Sequence, residues 1–323
     1  MLQVWLTLIL FKVNRMDKKE KIYTILKEAE GVLSGEKISA MLGVSRVSVW
    51  KHVKGMVTSG IPIVSSPQGY HLTPDPNSLL PWEFGVWQDH IHHFREISST
   101  MDEATALARQ GCPDFTVAVA ERQTLGRGRM NRTWFSGDGG LYFTVVVRPD
   151  IPIVSASLVN LAAAVAMATI LRTLFDIPAS LKWPNDILVD EAKICGILSQ
   201  METEGDQISH LRIGVGLNVN NSPEVDEPTA VSMKKLVGDH VPRRQILISF
   251  LNNFKKQLVN FDADSLIADW RSNNSTIGRH VTITTLRKTV EGKAVDIESD
   301  GGLVLQMADG SCETVIHGDC FHI

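Results

Sequence analysis

Cysteine is scarce in this 323-residue chain, and what there is argues against a disulfide framework. Cys112, Cys195, Cys312 and Cys320 form no C-x-x-C pair, which implies reduced thiols, as in a cytosol. Three histidines cluster at His90, His92 and His93, but no cysteine or carboxylate group at recognisable spacing completes a coordination set, so no metal ligand is assigned. Membrane-spanning runs are missing too. The apolar start, M-L-Q-V-W-L-T-L-I-L-F, is shorter than the roughly 20 residues a span requires. Its basic residues, Lys12 and Arg15, follow the run where a signal peptide would put them first. Residues 1–15 therefore read as an upstream extension or a misassigned start, with Met16 opening an ordinary beginning. The apolar stretch Ser155–Leu174 carries Ser155, Ser157, Asn160 and Arg172, and its alanines predict a helix packed inside a core.

Carboxylates are absent from one segment, Lys37 to Thr73, while Lys37, Arg46, Lys51 and Lys54 are present. A surface without acids matches the electrostatics of a phosphate backbone. In the same segment Ile38, Met41 and Leu42 are expected to face inward, Gly43 to permit a turn, and Ser45 to cap a second helix. In that second helix Val47, Trp50, Val53 and Val57 recur at steps of three or four and predict its buried face. Arg46, Ser48, Lys51, His52 and Lys54 are left for the outer surface as the candidate DNA contacts. Two short helices around a glycine turn form a helix-turn-helix pattern. Ile61–Leu72 reads as a hairpin turning near Ser66 to Gly69, in the position of a wing. A basic protein-interaction face is the competing reading. Three prolines between Thr73 and Trp82 then mark a linker.

The rest of the chain is organised around E-R-Q-T-L-G-R-G-R-M-N-R-T-W-F-S, Glu121 to Ser136. Here again absences narrow the choice. Asn131 stands where the third glycine of a dinucleotide fingerprint belongs, and no Gly-Lys-Ser/Thr follows as in a Walker loop. Gly126 and Gly128 allow close backbone approach, and Arg127, Arg129 and Arg132 offer planar forks to phosphate or carboxylate. The loop lies between predicted strands Phe115–Ala120 and Leu141–Val147. An anionic, phosphorylated ligand fits it; a surface turn or an RNA-touching patch is the alternative.

Ser99 and Thr100 precede a helix, with Asp102 and Glu103 just beyond. That is a capping box, and its hydroxyls are also placed to bind a small polar ligand. Lys182-Trp183-Pro184-Asn185-Asp186 makes a turn, followed by two strands joined at Asp190 to Ala192. Lys193 opens an apolar strand and needs an anion: Asp186, Glu191 or a ligand. A strand at Arg212–Asn220 holds two glycines, a sign of close approach. Helical patterns run to about Trp270; from Ile277 short strands with turns at Glu291-Gly292, Asp300 to Gly302 and Asp309-Gly310 predict a small β-barrel.

In order along the chain, S-S-T-M, G-R-G-R-M-N-R-T-W, K-W-P-N-D, A-K-I-C-G-I-L, G-V-G-L-N-V-N and G-D-C resemble the motifs of the bifunctional biotin–protein ligase and biotin operon repressor family. The resemblance covers about Asp17 to Ile323. It implies an α+β multidomain chain: a winged helix-turn-helix at 16–75, a linker at 76–83, a mixed α/β ligase domain at 84–275 and an SH3-like barrel at 276–323. It implies that biotin and ATP, with Mg²⁺, give biotinyl-5′-AMP, and that biotin then passes to a lysine of a biotin carboxyl carrier protein. By this carry-over Arg127, Arg129 and Lys193 are catalytic. Ser99, Thr100, Met101, Gln123, Gly128 and Gly196, with those three, bind biotin. Gly126, Arg129, Arg132, Trp134, Lys182, Asn185, Asp186 and Asn218 bind the adenylate. The partners implied are the carrier protein, operator DNA and, with adenylate bound, a second copy of the chain in a cytoplasmic homodimer, with no membrane. Where Met130 and Asn131 stand, the family commonly has arginine and glycine; asparagine still tolerates a left-handed backbone. The empty loop is expected to be mobile, its arginines unpaired. Two other readings stay open: a biotin-responsive DNA-binding sensor without catalysis, and an enzyme whose helix-turn-helix serves stability alone. A lipoate ligase is a fourth, but that family lacks the DNA-binding unit.

Overall fold

The computed structural model describes residues 17–323 apart from 30, 59, 74, 286 and 287 and the side chain of Asn131. The reading of residues 1–15 as an extension or misassigned start and the expectation for the Asn131 side chain lie outside the described residues. The chain divides into two compact units, Met1–Pro76 and Asn77–Ile323.

In the first unit α1 (Lys18–Glu28) starts on an Asp17 cap and buries Ile22, Tyr23, Ile25 and Leu26. Ser34 caps α2 (Gly35–Leu42), which ends at Gly43 with φ 63°, the left-handed turn expected there. Ser45 Oγ accepts from Ser48 N–H at 3.2 Å and opens α3 (Arg46–Thr58). The phase of α3 differs from the expectation. Its buried side chains are Val49, Val53 and Met56, whereas Val47, Trp50 and Val57 are 62%, 50% and 43% exposed, and Met41 of α2 is 48% exposed. Two apolar stripes about a quarter-turn apart both satisfy a 3.6-residue period, and only the partners α1 and α2 decide between them. The wing forms where expected: β1 (Ile63–Ser66) pairs antiparallel with β2 (Gly69–Leu72), Ser66 opposite Gly69.

The second unit is built on a seven-stranded sheet in the order β3-β4-β5-β9-β8-β7-β6. These strands are β3 (Ile91–Ile97), β4 (Thr116–Gln123), β5 (Leu141–Val147), β6 (Ser180–Lys182), β7 (Asp186–Val189), β8 (Ala192–Glu204) and β9 (Gln207–Leu217). Only β3–β4 is parallel among them. Alternation along β4 and β5 separates the two faces. Val117, Val119, Val145 and Val147 join the main core, while Ala118 and Val146 pack with Ala104 and Ala108 of α4 (Thr100–Arg109). Helix α5 (Ala156–Phe175) lies in the main core with α7 (Arg243–Val259) and α8 (Ala263–Ser272); α6 (Met233–Val237) is a short turn before them. Long and apolar enough to pass for a membrane span, α5 buries thirteen of its residues from Leu158 to Leu171 within this unit.

The last strands form a five-stranded antiparallel sheet, β13-β12-β11-β10-β14. They are β10 (His280–Thr284), β11 (Thr289–Ile297), β12 (Leu303–Gln306), β13 (Cys312–Val315) and β14 (Asp319–His322). Among the described residues no pairing joins β13 to β14, so the sheet is not closed into a barrel. The turns at Asp300–Gly302 and Asp309-Gly310 are present, with Gly301 and Gly310 at positive φ. Glu291-Gly292, expected as a turn, lies inside β11 opposite Val281 and Thr282. A Cβ at Gly292 would sit 2.8 Å from the Gln306 carbonyl oxygen, so the glycine serves strand approach. Trp183 fastens this sheet to the larger one: its Nε1 donates to the Gly301 carbonyl at 3.0 Å and its N–H to Thr276 Oγ1 at 3.0 Å.

Candidate active site

A cavity of about 400 Å³ opens on the face of the large sheet that carries α4. Its floor is the β8–β9 pair, where three glycines keep the surface flat. Gly196 lies opposite Gly216, and Leu198 opposite Gly214. A Cβ at Gly216 would stand 2.4 Å from the Trp134 indole, one at Gly196 would stand 2.9 Å from it, and one at Gly214 would stand 2.7 Å from Met101 Sδ. The missing side chains are what admit Trp134 and Met101. The sequence signals close approach at 214 and 216 but not which groups approach.

Lys193 enters from the β7–β8 hairpin, whose two-residue turn, Asp190-Glu191, holds both residues at positive φ (47° and 67°). Its Nζ lies 2.7 Å from Asp186 Oδ1 and 5.3 Å from the Trp134 ring centroid. Of the anions considered for Lys193, Asp186 is thus the partner, while Glu191 pairs with Arg279. Asn185 shapes the neighbouring wall, donating from Nδ2 to the Ile197 carbonyl at 2.6 Å and accepting from Arg129 Nη1 at 3.3 Å.

The mouth is hemmed by the Gly/Arg loop, and its arginines are partnered, contrary to expectation. Arg127 pairs with Asp102 at 2.8 Å, Arg129 bonds Asn185, and Arg132 pairs with Asp319 with its guanidinium 5.5 Å from the Phe321 ring. Burial draws the Arg129 pKa down, while Asp319 and Asp186 act in the opposite sense. The left-handed residue of the loop is Met130, with φ 49° and ψ 42°. Such a conformation costs a residue with a Cβ roughly 1–2 kcal/mol.

At the stem, Gln123 Oε1 accepts from Thr100 N–H at 2.8 Å and Thr100 Oγ1 at 3.0 Å, and Gln123 Nε2 donates to Ser136 Oγ at 2.8 Å. Thr144 Oγ1 donates to Thr100 Oγ1 at 2.9 Å, so loop, helix start and sheet share one network. Ser99 caps α4, its Oγ accepting from Met101 N–H at 3.3 Å. The hydroxyl at the helix start therefore serves the cap first.

The expected residues that line the cavity are Ser99, Thr100, Met101, Gln123, Arg127, Gly128, Arg129, Arg132, Trp134, Lys182, Asn185, Asp186, Lys193, Gly196 and Asn218. Gly126 does not line it; a Cβ there would meet the Trp134 carbonyl oxygen at 2.2 Å, which makes this glycine a requirement of the loop's own fold. Asp319 and Phe321 line the rim as well. Both come from β14; Asp319 belongs to the G-D-C motif, but neither residue is among those expected at the site. Five basic side chains (Arg127, Arg129, Arg132, Lys182, Lys193) face three acidic ones (Asp186, Glu227, Asp319), an excess of cation that suits an anionic ligand. His90, His92 and His93 lie outside the cavity; His93 Nε2 contacts Glu121 at 3.2 Å, and burial lowers the His92 pKa. The candidate DNA contacts belong to the other unit, where Arg46, Lys51 and Lys54 are exposed and Ser48 and His52 half-buried on α3.

Three family models match the chain in order: an HTH domain at residues 18–71, the biotin/lipoate A/B protein ligase family at 94–218, and a biotin protein ligase C-terminal domain at 276–323. The bifunctional ligase/repressor BirA of Bacillus subtilis is 34% identical over 311 residues, covering 91% of this chain and 95% of the relative. The biotin–[acetyl-CoA-carboxylase] ligase of Mycobacterium tuberculosis is 32% identical over 237 residues, covering 71% of this chain and 87% of its own. Among solved structures, the biotin protein ligase of Aquifex aeolicus in complex with biotin and ATP aligns with a TM-score of 0.62 at 27% identity, over 72% of this chain and 98% of that one. With its helix-turn-helix, ligase and C-terminal modules in the same order and near-complete coverage of the relative, the chain belongs to the biotin protein ligase family, in its bifunctional ligase/repressor branch.

Proposed function

We propose that this chain is an ATP-dependent biotin–protein ligase that also represses transcription of biotin genes. In the first half-reaction an oxygen of the biotin carboxylate attacks the α-phosphorus of ATP, the bond to the bridging oxygen breaks, and pyrophosphate leaves. In the second, the amine of a carrier-protein lysine attacks the carbonyl carbon of the mixed anhydride. AMP departs with the electron pair, and the amine proton passes to solvent. The carrier is a biotin carboxyl carrier protein.

The observation that carries this reading is the position of Lys193 beside Trp134 on the glycine floor, with Arg127, Arg129 and Arg132 across the same cavity. Attack brings a carboxylate and a phosphate, both anionic, to one point. A fixed ammonium there lowers their repulsion and stabilises the charge that builds on the phosphoryl oxygens. Asp186 keeps the ammonium in place before the ligands arrive. The flat floor accepts biotin's rings beside Met101 and Gly214, with Ser99, Thr100 and Gln123 at the polar end. Trp134, Asn185 and Asn218 face the nucleotide. Arg127 and Arg132 exchange Asp102 and Asp319 for phosphate oxygens when the adenylate binds, which closes the loop and keeps water from the anhydride. Mg²⁺ accompanies ATP on its phosphates.

The adenylate serves as corepressor: loop closure completes a homodimer surface on residues 84–275, and the paired winged helices at 16–75 engage operator DNA. The linker is 76–83, residues 276–323 act as an SH3-like module, and the protein works in the cytoplasm. Incubation with ATP, labelled biotin and cell lysate should give one labelled carrier band. A protein that binds biotin but labels nothing, and releases no pyrophosphate, would establish the non-catalytic sensor instead.

A further inference from the structure

The helix expected to carry the DNA contacts also carries an apolar residue in an unusual place. At 100° per residue, Val47 projects about 150° away from the mean direction of the buried Val49, Val53 and Met56, and Lys51 and Lys54 lie within about 40° of it. It is 62% exposed, in the first turn of α3. Trp50, itself 50% exposed, holds the Lys54 ammonium 5.1 Å from its ring centroid, on the same side of the helix. A branched apolar side chain set between ammonium groups, in a segment with no carboxylate from Lys37 to Thr73, suits a surface that is apolar at its centre and anionic at both edges. The major groove at a thymine has that character: a 5-methyl group on the base edge between two rows of phosphates. The N-terminal residues of the second helix are the ones that reach base edges in this motif.

We propose that Val47 is a specificity-determining residue that reads a thymine methyl group in the major groove, with Lys51 and Lys54 on the flanking phosphates. This rests on the DNA-binding reading of the helix-turn-helix unit and adds which base it prefers and why.

The test is a selection with the full-length protein, ATP and biotin from a random-sequence duplex library, followed by titration of the enriched site with thymine or uracil at each T. Uracil pairs identically and lacks only the methyl group. The wild type should enrich a site with a fixed A·T pair and bind the uracil version about four- to tenfold more weakly at one position, the scale of one buried methyl group. Val47→Ala should bind thymine and uracil versions equally, whereas Lys51→Ala should weaken both by one factor. An enriched site indifferent to uracil, or a Val47→Ala variant that keeps the uracil penalty, overturns the proposal and leaves DNA binding standing. A Val47→Ala variant that changes self-association and not base preference assigns the residue to a protein contact and overturns it too. Enrichment of no sequence overturns the DNA-binding reading itself.

Discussion

Around the cavity of the second unit, Lys193 rests on Asp186, Arg127 on Asp102 and Arg132 on Asp319. Along residues 37–73 of the first unit, Arg46, Lys51 and Lys54 share a segment that has no carboxylate at all. The difference follows from what each surface does. Chemistry needs a cation at a fixed point, and a carboxylate holds it there at the cost of being displaced when the ligand comes. Binding to a uniform line of phosphates needs charge density more than position, and any built-in carboxylate would oppose it. A largely buried pair that does not line the cavity forms a third case. Arg243, 8% exposed at its side chain, lies 2.7 Å from Glu121 and also donates to the Gly140 carbonyl at 2.9 Å. No ligand is expected to displace that pair, so its role is architectural.

The comparison breaks most sharply at Lys193. Lys193→Ala should lower pyrophosphate release about 10²–10³-fold with an unchanged circular dichroism spectrum, since a donor aimed at developing charge is removed. Near-normal release would show that the fixed ammonium is not what the chemistry uses. Next in size is the open surface. Arg46→Ala with Lys51→Ala should weaken operator binding about 10–100-fold, reduce the slope of log K against log salt by about 2, and leave ligation untouched. An unchanged slope would mean these side chains do not meet phosphate.

The smallest effect concerns the architectural pair and is read as stability against pH. Burial raises the Glu121 pKa, but the hydrogen bond from His93 and the charge and hydrogen bond of Arg243 outweigh it and hold the carboxyl below its ordinary 4.5. A lowered folded pKa gives stability that is complete above the unfolded value and lost as pH falls through the folded one. Glu121→Gln should therefore cost about 1.5 kcal/mol in urea unfolding at pH 7, with the gap to wild type closing as the pH drops well below 4.5. A gap that stays constant down to pH 3 would show that the loss is one of packing and not of charge.

Much of this was legible where local chemistry decides the outcome. The run Leu141–Val147 is β5 to the residue, and the turns at Gly43 and Asp190-Glu191 fall where left-handed residues are needed. Fifteen of the expected ligand residues converge because the motifs that carry them border the same sheet face. The rest depended on partners distant in sequence. The phase of α3 was set by which stripe α1 and α2 cover. Strand β3 was hidden by the polar run His92-His93 and Arg95-Glu96. Asp319 and Phe321 reach the cavity only because β14 pairs with β10, a contact no local pattern announces. Gly292 misled because a glycine needed for strand approach looks like a glycine needed for a turn.

The two-residue turn at Asp190-Glu191 also bears on the order in which the site comes together. Asp186 and Lys193 sit on the two arms of one tight hairpin, so the pair is separated by only seven positions of chain. Closing so small a loop loses little entropy, and hairpins form in about 1–10 μs. The pairs that complete the rim close longer stretches of chain, Arg127 with Asp102 and, across most of the second unit, Arg132 with Asp319. During folding the central charge is therefore sketched early and locally, and selectivity for the anion is added last, when the sheet has brought the arginines and their carboxylates into place.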